Sequence, residues 1–416
     1  MEMLEKYGQF LLPVLPFRDI VITRGKGSTI TDANGDTYLD VNSGQYCAAL
    51  GHSNPEVASL LLKIANKIQD TDTATLSEEV LLCAEKLHHL TPEMNSRIIF
   101  LSTGAEANEC ALRYAKHIKE RPGIIAFEQG YHGLTHGTAG YSMSRHRIRP
   151  PLPHSYTISA PQHFGTEPGD FQIEEQLSQF KDVLAKYADQ IAAAIFEPIV
   201  SGGGMIFPDA RFFKRIRELC NQFDVFMVFD ECQTGFGRTG KLFHYQNLGV
   251  VPDFVVAAKA IGLGYPVACV LANGHTVTHE HFLMQHYSSH QNEPFAAALM
   301  AFGLDTIQSQ GLLESNVAKG QKLLGIFNRL EKSFNCIRNG RGVGLMGGFD
   351  LFVEGVDDYR ATGTRFCNLA LENKLLLQHC NNGRTIRFLP NFYISDDDFR
   401  MLESKLNCTL QAFLSE

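Results

Sequence analysis

Residues 225–266 read VFMVFDECQTGFGRTGKLFHYQNLGVVPDFVVAAKAIGLGYP. The stretch opens on an apolar run, Val225 to Phe229, which predicts a strand buried on both faces, and it stops abruptly at Asp230-Glu231. A second apolar run, Phe254 to Ala258, delivers Lys259 in the same way and is followed by the glycine-rich turn Ile261-Gly262-Leu263-Gly264. In open α/β sheets, ligands lie beyond the carboxyl ends of the strands. An acid and a lysine 29 positions apart, each closing a strand, are therefore expected to meet over one bound ligand.

The order Asp230-Glu231-x-Gln233-Thr234-Gly235-x-Gly237-Arg238-Thr239-Gly240, then Pro252-Asp253, then Lys259 before a glycine-rich turn, resembles the core of the class III (omega-type) pyridoxal-phosphate aminotransferases. The resemblance runs from about Phe17 to the C-terminus. It implies an α/β, fold-type-I architecture: a large domain around a mostly parallel seven-stranded sheet and a small α+β domain made from both termini. The expected division is residues 1–45 and 299–416 for the small domain and 46–298 for the large one. By the same resemblance Lys259 holds pyridoxal 5'-phosphate as a Schiff base and Asp230 pairs with its pyridine nitrogen. The chemistry agrees, because a carbanion at the substrate Cα is stabilised by delocalisation into a protonated ring, and the amine must be a movable nucleophile that later carries protons.

Outward from this core, Ile191 to Phe196 is another buried run, ending in Glu197-Pro198. In the family a glutamate here either pairs with a substrate-binding arginine or holds the pocket's hydrogen bonds, near Gln233, which the resemblance assigns to the cofactor. Arg97 to Leu101 leads into Ser102-Thr103-Gly104-Ala105, and a helix follows through Ala115. A strand, a glycine turn and a helix N-terminus offer backbone N–H groups and a dipole to an anion. The segment resembles the family's phosphate cup, which assigns Thr103, Gly104 and Ala105 to the cofactor phosphate. Gly123 to Phe127 leads to Tyr131-His132-Gly133. There the family stacks an aromatic ring on the cofactor, a role that falls to Tyr131, with His132 beside it.

Further out, Thr23 to Asp40 reads as a hairpin around Asn34-Gly35, a strong turn signal. A loop then carries Ser43-Gly44-Gln45 and Leu50-Gly51-His52 ahead of a helix from Pro55. This wording resembles the 2,2-dialkylglycine decarboxylase branch and makes Gln45 a candidate catalytic and substrate-binding residue. That branch has a second serine where Gly202 stands in this chain. In Ser288-Ser289-His290-Gln291-Asn292-Glu293-Pro294, Ser289 keeps the hydroxyl that in the family reaches the neighbouring subunit's phosphate, and Thr73, Ser289 and Glu293 could hold a monovalent cation. A shared phosphate site implies at least a homodimer, or a dimer of dimers. In the C-terminal part, strands are expected at Gly344 to Phe352, Leu375 to His379 and Thr385 to Leu389, and a last helix capped by Ser395. Arg387 stands in Arg-Phe-Leu-Pro, resembling the family's carboxylate-binding Arg-x-x-Pro, and guanidinium geometry suits two-point carboxylate binding.

Composition bounds the reading. The 416 residues suffice for two domains, and a net charge of −8 without any basic stripe gives no reason to expect nucleic acid. Ten cysteines lie scattered without a Cys-x-x-Cys pair, which fits free thiols in a reducing interior. The opening MEMLEKYGQFLLPVLPF lacks the basic start of a signal peptide, and no apolar stretch is long enough to span a bilayer, so a cytoplasmic location is expected. The expected activity is transfer of an amino group from an amino acid or amine to a 2-oxo acid. Decarboxylation-dependent transamination, racemisation, and a cofactor-binding scaffold without turnover are the alternatives.

Overall fold

Short runs of β-branched, aromatic and small apolar residues make the central sheet of the computed structural model, which describes residues 6–12, 16–143, 152–161, 169–276 and 285–415. Three strands come first: β1 (Ile22–Lys26), β2 (Thr29–Asp32) and β3 (Thr37–Asp40). The central sheet follows, with β4 (Arg97–Leu101), β5 (Gly123–Phe127), β6 (Ser155–Ile158), β7 (Ile191–Phe196), β8 (Phe226–Asp230), β9 (Phe254–Ala257) and β10 (Ala268–Ala272). Its order is β4-β10-β9-β8-β7-β5-β6, parallel except that β10 runs against both of its neighbours. Strands β5, β7 and β8 are buried at every position, as expected of parallel strands covered on both faces.

The two faces differ in texture. On one, Ala107, Ala111 and Ala115 of the Gly104–Lys119 helix share a core with Ala192 and Ala193 of β7, and small residues on both sides bring helix and sheet close. On the other, Phe127, Phe196, Phe212, Phe213 and Phe229 interlock, with Phe127 and Phe196 centroids 4.4 Å apart and Phe213 edge-on to Phe229 at 5.1 Å. Each such ring contributes about 1.5–3 kcal/mol by leaving water.

The remaining strands are β11 (Ile337–Val343), β12 (Met346–Leu351), β13 (Leu375–Leu376), β14 (Gln378–Cys380) and β15 (Thr385–Phe388). They form two four-stranded sheets, β1-β2-β3-β13 and β11-β12-β15-β14. The first joins both ends of the chain, because β13 pairs in parallel with β3.

Four sequence expectations change in detail. The Thr23–Asp40 segment is two hairpins: besides the turn containing Asn34-Gly35, a tight turn at Gly27-Ser28, with Gly27 at φ 57°, splits its first half. Asp32 organises the other turn, its Oδ1 accepting from the backbone N–H of Asn34 and Asp36 at 2.9 Å each. Gly344 to Phe352 is the second arm of a hairpin; the first arm, β11, is glycine- and arginine-rich and lacked an apolar signal. Leu375 to His379 breaks at the fully buried Leu377, with β13 in one sheet and β14 in the other. Strand β10 was not anticipated, although the 258–267 connection is shorter than the dozen or so residues that a parallel crossover needs. The proline-rich connection Arg149 to Pro153 lies largely outside the described residues.

Candidate active site

The carboxyl ends of neighbouring strands converge on one cavity of about 350 Å³. Asp230 closes β8, and Lys259 follows β9, its direct neighbour in the sheet; Asp230 pairs with Val256 across them. Adjacent strands lie about 4.8 Å apart, so two residues 29 positions apart in sequence reach the same space. Lys259 takes φ 55°, the left-handed region that is uncommon for a residue with a side chain. Such a conformation persists where the surroundings over-determine it, and here it turns the chain from strand into the short 3₁₀ turn Lys259–Gly262. Lys259 Nζ makes no hydrogen bond among the described residues.

Asp230 is 3% exposed and fully engaged on its inner side. Its Oδ2 accepts from Asn108 Nδ2 at 2.7 Å and His132 Nδ1 at 2.9 Å, and its Oδ1 from Cys232 N–H at 3.1 Å. Burial favours the neutral acid, but the His132 hydrogen bond and charge and the charge of Lys259 outweigh it and hold the carboxyl below its usual range. An ionised carboxylate has about four acceptor positions. Three donors leave one, in a residue that lines the cavity. Asn108 also donates to His132 O at 3.0 Å, tying acid, histidine and the Gly104–Lys119 helix together.

The start of that helix forms the cavity's second wall. Thr103 is its N-cap, accepting from Glu106 N–H at 3.3 Å, while Glu106 Oε2 accepts from Ser102 N–H at 3.0 Å. Thr103, Gly104 and Ala105 all line the cavity, where the first N–H groups of a helix have no intrahelical acceptor. A Cβ on Gly104 would stand 2.8 Å from Cys232 Sγ, so glycine lets the turn settle onto the strand ends. Glu106 is pulled down to about 2, first by the His286 ring 3.5 Å away, then by Ser102 N–H and Ser288, against its partial burial.

Tyr131 is 38% exposed at the cavity wall. Beneath it Glu197 is 3% exposed, its Oε1 accepting from Tyr131 N–H at 2.8 Å and its Oε2 from Ser201 N–H at 3.3 Å. Of the two family roles for this glutamate, the structure shows the hydrogen-bonding one; no arginine pairs with Glu197 among the described residues. Burial pushes Glu197 up to about 7, the charge of Asp230 adding to it and that of His132 opposing.

Gln45 lines the cavity with Lys259, on a backbone pinned from below. Asp40 Oδ2 accepts from Gly44 N–H at 2.7 Å, Asp40 Oδ1 from Asn42 N–H at 2.8 Å, and Ser43 Oγ donates to Leu389 O at 3.0 Å. Ser43, Gly44 and Tyr46 all have positive φ there. Arg387 is not in the cavity wall but stands behind it, its Nη2 donating to Gln378 Oε1 at 3.0 Å and its Nη1 to Ser201 Oγ at 3.4 Å. Gln378, Asn108, Cys47 and Tyr265 were not anticipated. Of these only Asn108 had a local signal, at helical spacing from Thr103-Gly104, whereas Gln378 follows a strand break that the sequence does not announce.

Other candidates lie apart from the cavity lining. Gln233 has a buried carboxamide oxygen with no hydrogen-bond partner among the described residues. Ser289 is exposed, Thr73 donates to the Tyr287 hydroxyl at 3.1 Å, and Glu293 faces His290, so no hydrogen bond links Thr73, Ser289 and Glu293. Gly202 packs close to Met143, whose Cε lies 2.6 Å from where a Cβ would stand.

Residues 14–410 match the Aminotransferase class-III family. The acetylornithine aminotransferase of Methanothermobacter thermautotrophicus is 31% identical over 400 residues, 95% of each chain. The acetylornithine/succinyldiaminopimelate aminotransferase of Photorhabdus laumondii is 30% identical over 406 residues, covering 94% of this chain and 93% of that one. Among solved structures, a transaminase from the marine bacterium Virgibacillus superposes with a TM-score of 0.92 at 22% identity, covering 100% of this chain and 99% of that one. An amine transaminase from an uncultivated Pseudomonas species, solved with PLP bound, gives 0.89 at 24%, covering 97% and 98%. The chain belongs to the class III aminotransferases, and it is a PLP-dependent enzyme of fold type I.

Proposed function

We propose that the Lys259–Asp230 cavity is the catalytic site and that it takes an amino donor carrying a carboxylate, with a 2-oxo acid as acceptor. The observation that supports it most is the fit of the cavity to PLP: an amine at Lys259, one open acceptor position on an ionised Asp230, and a helix start at Thr103–Ala105 for the phosphate. Tyr131 offers its ring to the cofactor's face, and His132 and Asn108 hold Asp230 charged. When bound, PLP supplies an electron sink for the pair left at the donor's Cα. Lys259 Nζ takes the proton from Cα and returns it elsewhere as a general acid, a role that suits an amine with no hydrogen-bond partner among the described residues. Arg387 and Gln45 orient the donor's carboxylate, and Gln233, whose buried carboxamide oxygen is unpartnered among the described residues, is kept as a cofactor-binding candidate. Ser289 is assigned to the partner subunit's phosphate site in a homodimer. We retain residues 46–298 as the large domain and place the enzyme in the cytoplasm, where ten free cysteines are expected.

The test is Lys259→Ala. Borohydride treatment of the wild-type holoenzyme followed by peptide mass analysis fixes the cofactor to the Lys259 peptide, and the variant retains its fold but neither the adduct nor turnover. An adduct on another lysine overturns the assignment.

One observation favours a second reading, decarboxylation-dependent transamination. Gln45 shares the cavity with Lys259, whereas Arg387 stands behind it. A carboxylate held by Gln45 and Lys259, rather than by Arg387, would leave the Cα–carboxylate bond as the one broken. Single turnover with 2-methylalanine, which has no Cα hydrogen, separates the two: release of carbon dioxide supports the second reading, and its absence alongside turnover of ordinary amino acids leaves transamination alone.

A further inference from the structure

Gln378 connects the two residues assigned above to the donor's carboxylate. Its Oε1 accepts from Arg387 Nη2 at 3.0 Å and from the Tyr46 hydroxyl, and its Nε2 donates to Gln45 Oε1 at 3.0 Å. The two ends of an amide can exchange by a flip, but the chemistry of this chain of contacts forbids it. A guanidinium only donates. Gln378 must therefore turn its oxygen to Arg387, its nitrogen then faces Gln45, and Gln45 must answer with its own oxygen. The hydrogens on Gln45 Nε2 are left over, on a residue that lines the cavity beside Lys259. Behind the relay the Tyr46 ring lies 4.8 Å from the Arg387 guanidinium, and Ser201 Oγ takes Nη1.

We propose that Gln378 is a positioning residue that fixes the polarity of this corner: it holds Arg387 and orients Gln45 so that both present only donors. The corner then selects amino donors bearing a carboxylate over amines without one. Gln378 does not line the cavity and acts through its two neighbours. The inference rests on the reading of the cavity as the donor site of an aminotransferase.

The experiment uses the holoenzyme with Gln378→Glu and Gln378→Leu. A glutamate still accepts from Arg387 and Tyr46, more strongly, but has no hydrogen for Gln45, whose amide is then free to turn its oxygen to the cavity. Leucine removes both contacts. In each variant the ratio of kcat/KM for alanine to that for 1-phenylethylamine falls at least about tenfold, the loss lying in KM for alanine. The Kd of propanoate, followed through the cofactor's visible spectrum, rises by a similar factor. Adding Gln45→Leu to Gln378→Glu costs less than about twofold more, because the glutamine has already lost its orientation. Equal losses with both donors, or an unchanged propanoate Kd, overturn the proposal. A wild-type holoenzyme that turns over no donor overturns the functional reading instead, while propanoate binding still tests Gln378.

Discussion

Asp230 is held by three donors, one of them the amide nitrogen of Asn108, and is 3% exposed at the cavity. Asp230→Asn keeps the shape and removes the charge. It also leaves the donors of Asn108, His132 and Cys232 sharing one acceptor oxygen, with an amide donor among them. We expect kcat to fall by about 100-fold or more with the cofactor still present, measured by single-turnover kinetics. Glu197 carries a pH signature. Its carboxyl is raised from 4.5 to about 7, so between those values the folded chain holds a proton that the unfolded chain has lost. Raising the pH strips that proton, and stability falls across the window. Thermal melting of the cofactor-free protein from pH 5.5 to 8 should show the wild type losing Tm relative to Glu197→Gln as pH rises; parallel profiles would place the ionisation elsewhere.

Two glycines of one helix give opposite expectations. In the Leu312–Ser333 helix, a Cβ on Gly320 would stand 2.2 Å from Gly344 O, at the turn between β11 and β12. That turn is itself pressed onto the Arg238–Thr239 backbone, where a Cβ on Gly344 would stand 2.4 Å from Arg238 O. Helix, hairpin and the 235–240 loop thus meet backbone to backbone. Gly320→Ala should destabilise by about 1–3 kcal/mol, as overpacking does. Gly325, five residues on, meets only the flexible end of Arg329 at 3.3 Å, and Gly325→Ala should gain up to about 1 kcal/mol. Urea unfolding midpoints of the two variants, on either side of wild type, check both.

At the scale of the molecule, several large apolar side chains remain in water. Leu62 is 66% exposed, Leu81 56%, Leu82 54% and Tyr287 68%. Leu81 and Leu82 sit on the Glu78–Leu90 helix and Leu62 on the Pro55–Ala65 helix, both packed on the Pro294–Ser309 helix. Thr73 joins this region to Tyr287 through its hydroxyl. The proposed homodimer would cover these side chains. Light scattering should give twice the 46.3 kDa chain mass, and Leu81→Asp with Leu82→Asp should yield monomers that lose PLP on gel filtration. A monomeric wild type would place Ser289 outside any phosphate site.

The sequence alone determined where the chemistry could sit. Apolar runs ending in Asp230, Lys259 and Glu197 mark strand ends, because a strand buried on both faces admits polar residues only where it leaves the sheet. That rule is local, and a local pattern is enough to read it. The order of strands, which sets Asp230 beside Lys259, follows from pairing between distant segments, as does the antiparallel return of β10. Gln45 and Arg387 were both legible as candidates, but the sequence was silent on Gln378, which joins them into one corner. Gln378 lies 333 positions from Gln45, on a strand separated from its predecessor by one buried leucine. Its amide orientation depends on a guanidinium contributed by the next strand of the sheet. Hydrogen-bond polarity passes from residue to residue through space, and only the folded chain decides it.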